Sequence, residues 1–183
     1  WRRVSSVALL RGSRRATPKN GVVEVATLCL HPFHWFFVHG VRVHNKGCFA
    51  KTSEVSMASG LKKPLQHVRV GEEVVSWDSE RQRVARSTVV VAPTYVREVK
   101  DMVEIRLPHA RICATEDHPF WSRSRSALVS AHPDRTMQEY SLRAHNLMAN
   151  EVLEGEQLEE IHVSQILRPP RSALNSSRRL LSS

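Results

Sequence analysis

Apolar residues in the middle of this chain come in short, β-branched runs, each cut off by turn residues. Val22-Val23-Glu24-Val25, Trp35 to Val38 and Val41-Arg42-Val43 are such runs, broken by Pro32 and Gly40. Glu54 to Met57 ends at Ser59-Gly60, and Glu73 to Trp77 ends at Asp78-Ser79. Arg83 to Val91, Tyr95 to Val99, Met102 to Leu107 and Arg111 to Ala114 follow, punctuated by Pro93, Lys100-Asp101 and Pro108. Many short strands at this spacing predict an all-β domain: a sandwich, a barrel or an irregular sheet assembly. Gln66 to Val70, leading into Gly71, reads as a short extended segment. Met137 to Asn150 reads either as one helix or as a strand and then a short helix ending near Asn150. Trp35, Phe36 and Phe37 read as core.

Composition narrows the class. The 183 residues leave room for one sizeable domain plus tails. The apolar stretches Val22 to Val43 and Val84 to Tyr95 are interrupted by His, Pro, Arg and Thr, so no transmembrane segment is expected. The net charge of +9 suggests a nucleic-acid partner until it is located. Six bases and no acid lie in residues 1–20, and four bases and no acid lie in residues 168–183. The basicity therefore belongs to the ends. Residues 1–21 and 168–183 are expected to be disordered basic tails, and no specific nucleic-acid partner is expected. The three cysteines Cys29, Cys48 and Cys113 leave at least one thiol free. Seven glycines and no Gly-rich phosphate loop argue against a nucleotide, and no cofactor is expected. Cys29, His31, His34, His39 and His44 crowd one stretch. Strand alternation puts Cys29 and His31 on one face, but no second ligand pair follows at tight spacing, so no metal is expected.

The chemistry-bearing residues form three groups. Cys48-Phe49-Ala50-Lys51-Thr52-Ser53-Glu54-Val55 is followed by Ser59-Gly60, Pro64-Leu65 and Val70-Gly71-Glu72-Glu73-Val74. Ala114-Thr115-Glu116-Asp117-His118-Pro119-Phe120-Trp121 carries Thr-x-x-His with a trailing Pro-Phe. Val25 to Leu30 and His34 to Asn45 end in Val-His-Asn. A Cys held against the preceding carbonyl can exchange an amide for a thioester, so Cys48 is placed to attack Gly47. A thiol near its reference pKa is already a good nucleophile at neutral pH. The difficult step is expelling the amine, which an imidazole can protonate. An Asn side chain can attack its own carbonyl and form a succinimide, which at Asn45 would cut the Asn45–Lys46 bond.

Together these segments resemble the Hint superfamily, the fold shared by hedgehog C-terminal domains, inteins and bacterial intein-like domains. The resemblance covers residues 22–167. It implies an all-β, pseudo-two-fold horseshoe of short strands, with 22–45 as the closing hairpin segment and 48–167 as the opening and central segments. By resemblance Cys48 is the nucleophile, His118 protonates the leaving amine, and Thr115 orients His118 or the scissile amide. His44 assists Asn45, and His34 matches another histidine of the closing segment. There are departures. Lys46 stands where splicing inteins place Cys, Ser or Thr, so cleavage is expected rather than splicing. Thr27 stands where many members carry Asp, and Glu72 where Asp is usual.

The order of the pieces also departs, because the His-Asn hairpin precedes the Cys strand. Either the chain is circularly permuted, with 22–45 folding onto 48–167, or it holds pieces of a tandem array that self-associates by swapping strands. The link from Asn45 to Cys48 reaches at most about 11 Å, enough to join two ends at one site. One of each segment is present, which favours closure within one chain. The function implied is autoproteolysis on the chain's own backbone. The alternatives are an inactive interaction module and a hedgehog-like transferase that passes the thioester to another nucleophile.

Overall fold

The computed structural model describes residues 21–169; the basic tails expected at 1–21 and 168–183 lie almost wholly outside the described residues. The described chain is all-β, with one α-helix at Pro133–Tyr140. A six-stranded sheet runs in the order Thr94–Glu98, Val22–Ala26, Phe49–Ala50, Arg111–Thr115, Met102–Arg106 and Gln165–Leu167. A second sheet runs from His145–Asn146 through Ala127–Ser130, Phe120–Ser122, Val41–His44, Trp35–Val38 and Glu54–Ser56 to Lys62–Pro64. Cys29–His31, Arg83–Val91 and Glu73–Asp78 form a third.

The segments on either side of Lys46-Gly47 interleave within this one chain. Val22–Ala26 pairs with Thr94–Glu98 along its whole length, and on its other side Ala26 faces Phe49. Phe49 in turn faces Ala114. In the second sheet Val43 faces Phe120 and Val38 faces Val55. Residues 22–45 thus supply interior strands to two sheets whose other members follow Cys48. The hairpin Trp35–Val38/Val41–His44 turns at His39-Gly40, where both φ angles are positive (50° and 79°). A two-residue turn of that kind matches the strand twist and favours Gly. Phe36, Phe37 and Val38 are buried in succession, so this strand is covered on both faces. Thr94–Glu98 is exposed throughout, as an edge strand.

Arg42 locks this hairpin to the rest of the fold. Although 3% exposed, its guanidinium lies over the rings of Trp35, Trp77 and Trp121 at 4.5, 4.6 and 4.5 Å and pairs with Glu154. Stacking on indoles and one carboxylate offset part of the cost of burying a charge. Burial lowers its pKa to about 10, opposed by Glu154.

Two local expectations fail. Gln66–Val70 is not extended throughout; its start joins a 3-10 turn at Leu65–His67, closed by Val68 N–H to Leu65 O at 3.1 Å, and the chain is extended again at Val68. The helix expected within Met137–Asn150 begins earlier and stops sooner. Pro133 occupies its first turn, and the His132 ring accepts from Arg135 N–H at 3.4 Å. Ser141, with φ 56°, ends it, and His145–Asn146 then joins the second sheet as a short strand.

Candidate functional site

The site gathers where the two interleaved segments meet. Backbone pairing sets Cys48 against Thr115. Thr115 N–H donates to Cys48 O at 2.9 Å, and Cys48 N–H donates to Thr115 Oγ1 at 3.2 Å. The Thr115 hydroxyl therefore holds the amide nitrogen that a thioester exchange would release. Cys48 is 5% exposed. Burial pushes its thiol up to about 11; Arg97 opposes this and Asp117 adds to it.

Four residues of turn, Thr115 to His118, carry the histidine back to the same spot, with His118 N–H bonded to Thr115 O at 3.0 Å. Its ring is fully buried between Phe49 and Phe120, with centroids 4.0 and 5.1 Å away. Both ring nitrogens lack a hydrogen-bond partner among the described residues. Burial, and after it His44, hold its pKa well below the usual imidazole range, so the resting ring is neutral. Gly47 presses against it. A Cβ on Gly47 would lie 2.6 Å from His118 Nδ1, and the backbone there has φ +80°. Both facts demand glycine directly before Cys48.

The closing hairpin brings His44 and Asn45 to this end of the molecule. His44 N–H donates to Pro119 O at 3.2 Å, and Asn45 N–H donates to His34 O at 2.8 Å. The Asn45 side-chain nitrogen lies 3.4 Å from His34 Nδ1, and the His34 and His44 rings stack at 6.1 Å. Asn45 Oδ1 and His44 Nδ1 are buried without partners among the described residues. Burial lowers the His44 pKa to about 4, helped by His34 and Lys46. Cys48, Thr115 and His118 thus form one cluster around Gly47. His44 reaches it through Pro119, with Asn45 and His34 beside it. Thr27 Oγ1 is buried and also without a partner among the described residues.

Two contributors were not singled out in the sequence. Asp117 is 5% exposed inside the Thr-x-x-His turn, and Tyr140 OH donates to its Oδ2 at 2.9 Å. The helix grips the same turn at two more points. Thr136 Oγ1 donates to Asp117 O at 2.8 Å, and Arg135 bridges Glu116 and Asp101 at 2.8 and 3.1 Å. Thr136 and Tyr140 lie one turn apart on the helix, the spacing that puts both on one face. That pattern was the available signal, but it required the helix start that Pro133 sets. Among the described residues no three His, Cys, Asp or Glu side chains converge to hold a metal ion, and all three cysteines are free.

A family model described as "Hint module" matches residues 38–171. Residues 22–37, which enter the same sheets, lie ahead of that match. The chain is similar to Protein hedgehog of Drosophila virilis, 26% identical over 106 residues, covering 56% of this chain and 22% of that protein. Protein hedgehog of Drosophila persimilis is 26% identical over 98 residues, covering 53% of this chain and 19% of that protein. The chain spans about a fifth of the length of the curated relatives it matches.

Proposed function

The chain belongs to the Hint module family, and on that premise we propose that it cleaves its own backbone through a thioester at Gly47–Cys48. The observation that carries this reading is the packing of a buried His118, unpartnered among the described residues, against Gly47 while Thr115 Oγ1 accepts from Cys48 N–H.

Cys48 Sγ attacks the Gly47 carbonyl carbon, and the Sγ–C bond forms. The C–N bond then breaks, its electron pair goes to Cys48 nitrogen, and that nitrogen takes a proton. His118 is the donor. Its ring is neutral at rest, but negative charge gathering on the Gly47 oxygen raises its affinity for a proton in the intermediate. Such general-acid help contributes about 10²–10⁴-fold. Thr115 orients the leaving nitrogen. Water or an added thiol then attacks the thioester carbonyl, releasing the upstream segment as acid or thioester and restoring the Cys48 thiol. A second cut follows if Asn45 Nδ2 closes on its own carbonyl, with His44 and His34 as neighbours. The two cuts together would remove Lys46-Gly47.

A second reading passes the thioester to a nucleophile other than water, and the similarity to hedgehog proteins favours it. One experiment addresses both. The chain carries a folded tag ahead of Trp1, and its mass is followed with and without dithiothreitol. Thiol-dependent tag release, absent in Cys48→Ala, is the expected outcome. A chain that stays whole under both conditions rules the reading out and leaves an inert interaction module. Release that persists in Cys48→Ala but fails in Asn45→Ala moves the chemistry to the succinimide.

A further inference from the structure

Thioester formation needs two proton movements, and His118 is placed for only one of them. Its Nδ1 faces Gly47, the residue whose peptide bond to Cys48 must break. The thiol proton needs another acceptor. With the thiol pushed up to about 11, Sγ still carries its proton when the attack begins at neutral pH. Thr27 brings no carboxylate to the site.

The Thr115–His118 turn brings one. Asp117 is buried, its Oδ2 is held by Tyr140 OH at 2.9 Å, and its backbone oxygen is held by Thr136 at 2.8 Å. Its Oδ1 is buried with no hydrogen-bond partner among the described residues. A buried acceptor left without a donor costs about 1–3 kcal/mol and calls for an explanation. Here the orphan oxygen sits two residues from Thr115, which already holds both the nitrogen and the oxygen of Cys48. Cys48 and Tyr140 each lie within electrostatic reach of the Asp117 carboxylate and of each other. Among the described residues, the other charged or titratable groups near this cluster are Arg97 from the edge strand, Arg135 and Glu139 from the helix, and neutral His118.

We propose that Asp117 Oδ1 accepts the Cys48 thiol proton as Sγ attacks Gly47, with Tyr140 as the positioning residue that fixes the carboxylate; this rests on the self-cleavage reading above. The proton moves from Sγ to Oδ1 as the Sγ–C bond forms. The C–N bond breaks, and Cys48 nitrogen takes its proton from the His118 ring. The ring is imidazolium at that moment, because the carboxyl proton has reached it through solvent before the C–N bond breaks, so no proton is gained or lost overall.

The test uses the full chain with the same tag. Dithiothreitol-dependent release is timed from about pH 6.5 to about pH 8.5, and iodoacetamide alkylation is read on the Cys48 peptide by mass spectrometry. With a carboxylate taking the proton, and with dithiothreitol adjusted to keep its thiolate concentration constant across the range, release by the parent chain is nearly flat with pH. In Asp117→Asn only preformed thiolate attacks, so release is about 10²-fold slower at neutral pH and climbs about tenfold per pH unit. Alkylation moves the opposite way: without the neighbouring negative charge Cys48 ionises more readily and reacts several-fold faster. Tyr140→Phe slows release about fivefold, the worth of one hydrogen bond. Equal pH slopes in parent and Asp117→Asn, or Cys48 alkylation unchanged or slowed, overturn the proposal. A parent that never releases its tag, while Asp117→Asn still quickens Cys48 alkylation, overturns the cleavage reading and keeps Asp117 as the thiol's partner. If Asp117→Asn also speeds alkylation of Cys29 and Cys113, its fold is lost. Tyr140→Phe then decides, by slower release at unchanged Cys29 and Cys113 alkylation.

Discussion

Gly47 shows how little room the site leaves. Its φ of +80° suits glycine, and a methyl group there would meet the His118 ring, Cα and Cβ within 3.1 Å. Gly47→Ala is therefore expected to cost about 1–3 kcal/mol of stability and to slow thiol-dependent release at least tenfold. A urea melt alongside the cleavage assay separates the two effects. The buried histidines make a further prediction. His44 has a folded pKa of about 4 against about 6.5 unfolded, so between those values the unfolded chain binds a proton that the folded chain refuses. Stability from this group is fully present above pH 6.5 and is lost as pH falls toward 4, by about 3 kcal/mol. His118 adds in the same direction. Denaturation midpoints measured from about pH 7.5 to about pH 4 check this; a flat profile would remove the buried, neutral state of both rings. Cys48, Thr115 and His118 were legible because their spacing is a motif. Asp117 was not, because nothing local distinguishes it from the adjacent Glu116; only burial and the reach of Tyr140 do.

The hairpin Trp35–Val38/Val41–His44 is held by an ion pair inside an aromatic box. Removing the carboxylate leaves the Arg42 guanidinium buried with three indoles and no counter-charge. Glu154→Ala is expected to destabilise the chain by about 3–5 kcal/mol, read as a shift in the urea midpoint by tryptophan fluorescence. A loss under 1 kcal/mol would mean that the indoles alone hold the cation. Because Trp35 also packs edge-on to His44 at 4.9 Å, the same variant should impair the Asn45 cut more than the Cys48 cut. Helix Pro133–Tyr140 plays the matching part on the other side, where Arg135, Thr136 and Tyr140 hold the Glu116-Asp117 turn. Strand runs such as Trp35–Val38 and Arg83–Val91 were readable to the residue because β-branched and aromatic residues end sharply at turn formers. The helix was misplaced because its start is set by a cap and a proline, while its apolar pattern is weak.

Closure of the sheets within one chain makes a prediction about assembly. Val22–Ala26 lies between Thr94–Glu98 and Phe49–Ala50, so a single copy leaves no gap in that sheet. The chain is expected to run as a monomer near its 20.8 kDa mass in light scattering. A dimer would instead point to strands exchanged between copies. Deleting residues 22–45 opens both sheets, and that fragment is expected to aggregate or unfold unless the missing segment is supplied as a peptide. The alternation of short apolar runs decided the all-β class, and the residues around Cys48, His118 and Asn45 pointed to the Hint module and to the chemistry proposed for it, because both are written in local patterns. Only the tertiary structure joined residues 22–45 to the strands after Cys48, put a bare glycine against an unpartnered imidazole, and buried Asp117 beneath Tyr140. Those contacts link positions from 23 to 77 residues apart, and at such distances packing, rather than local sequence, sets which groups meet.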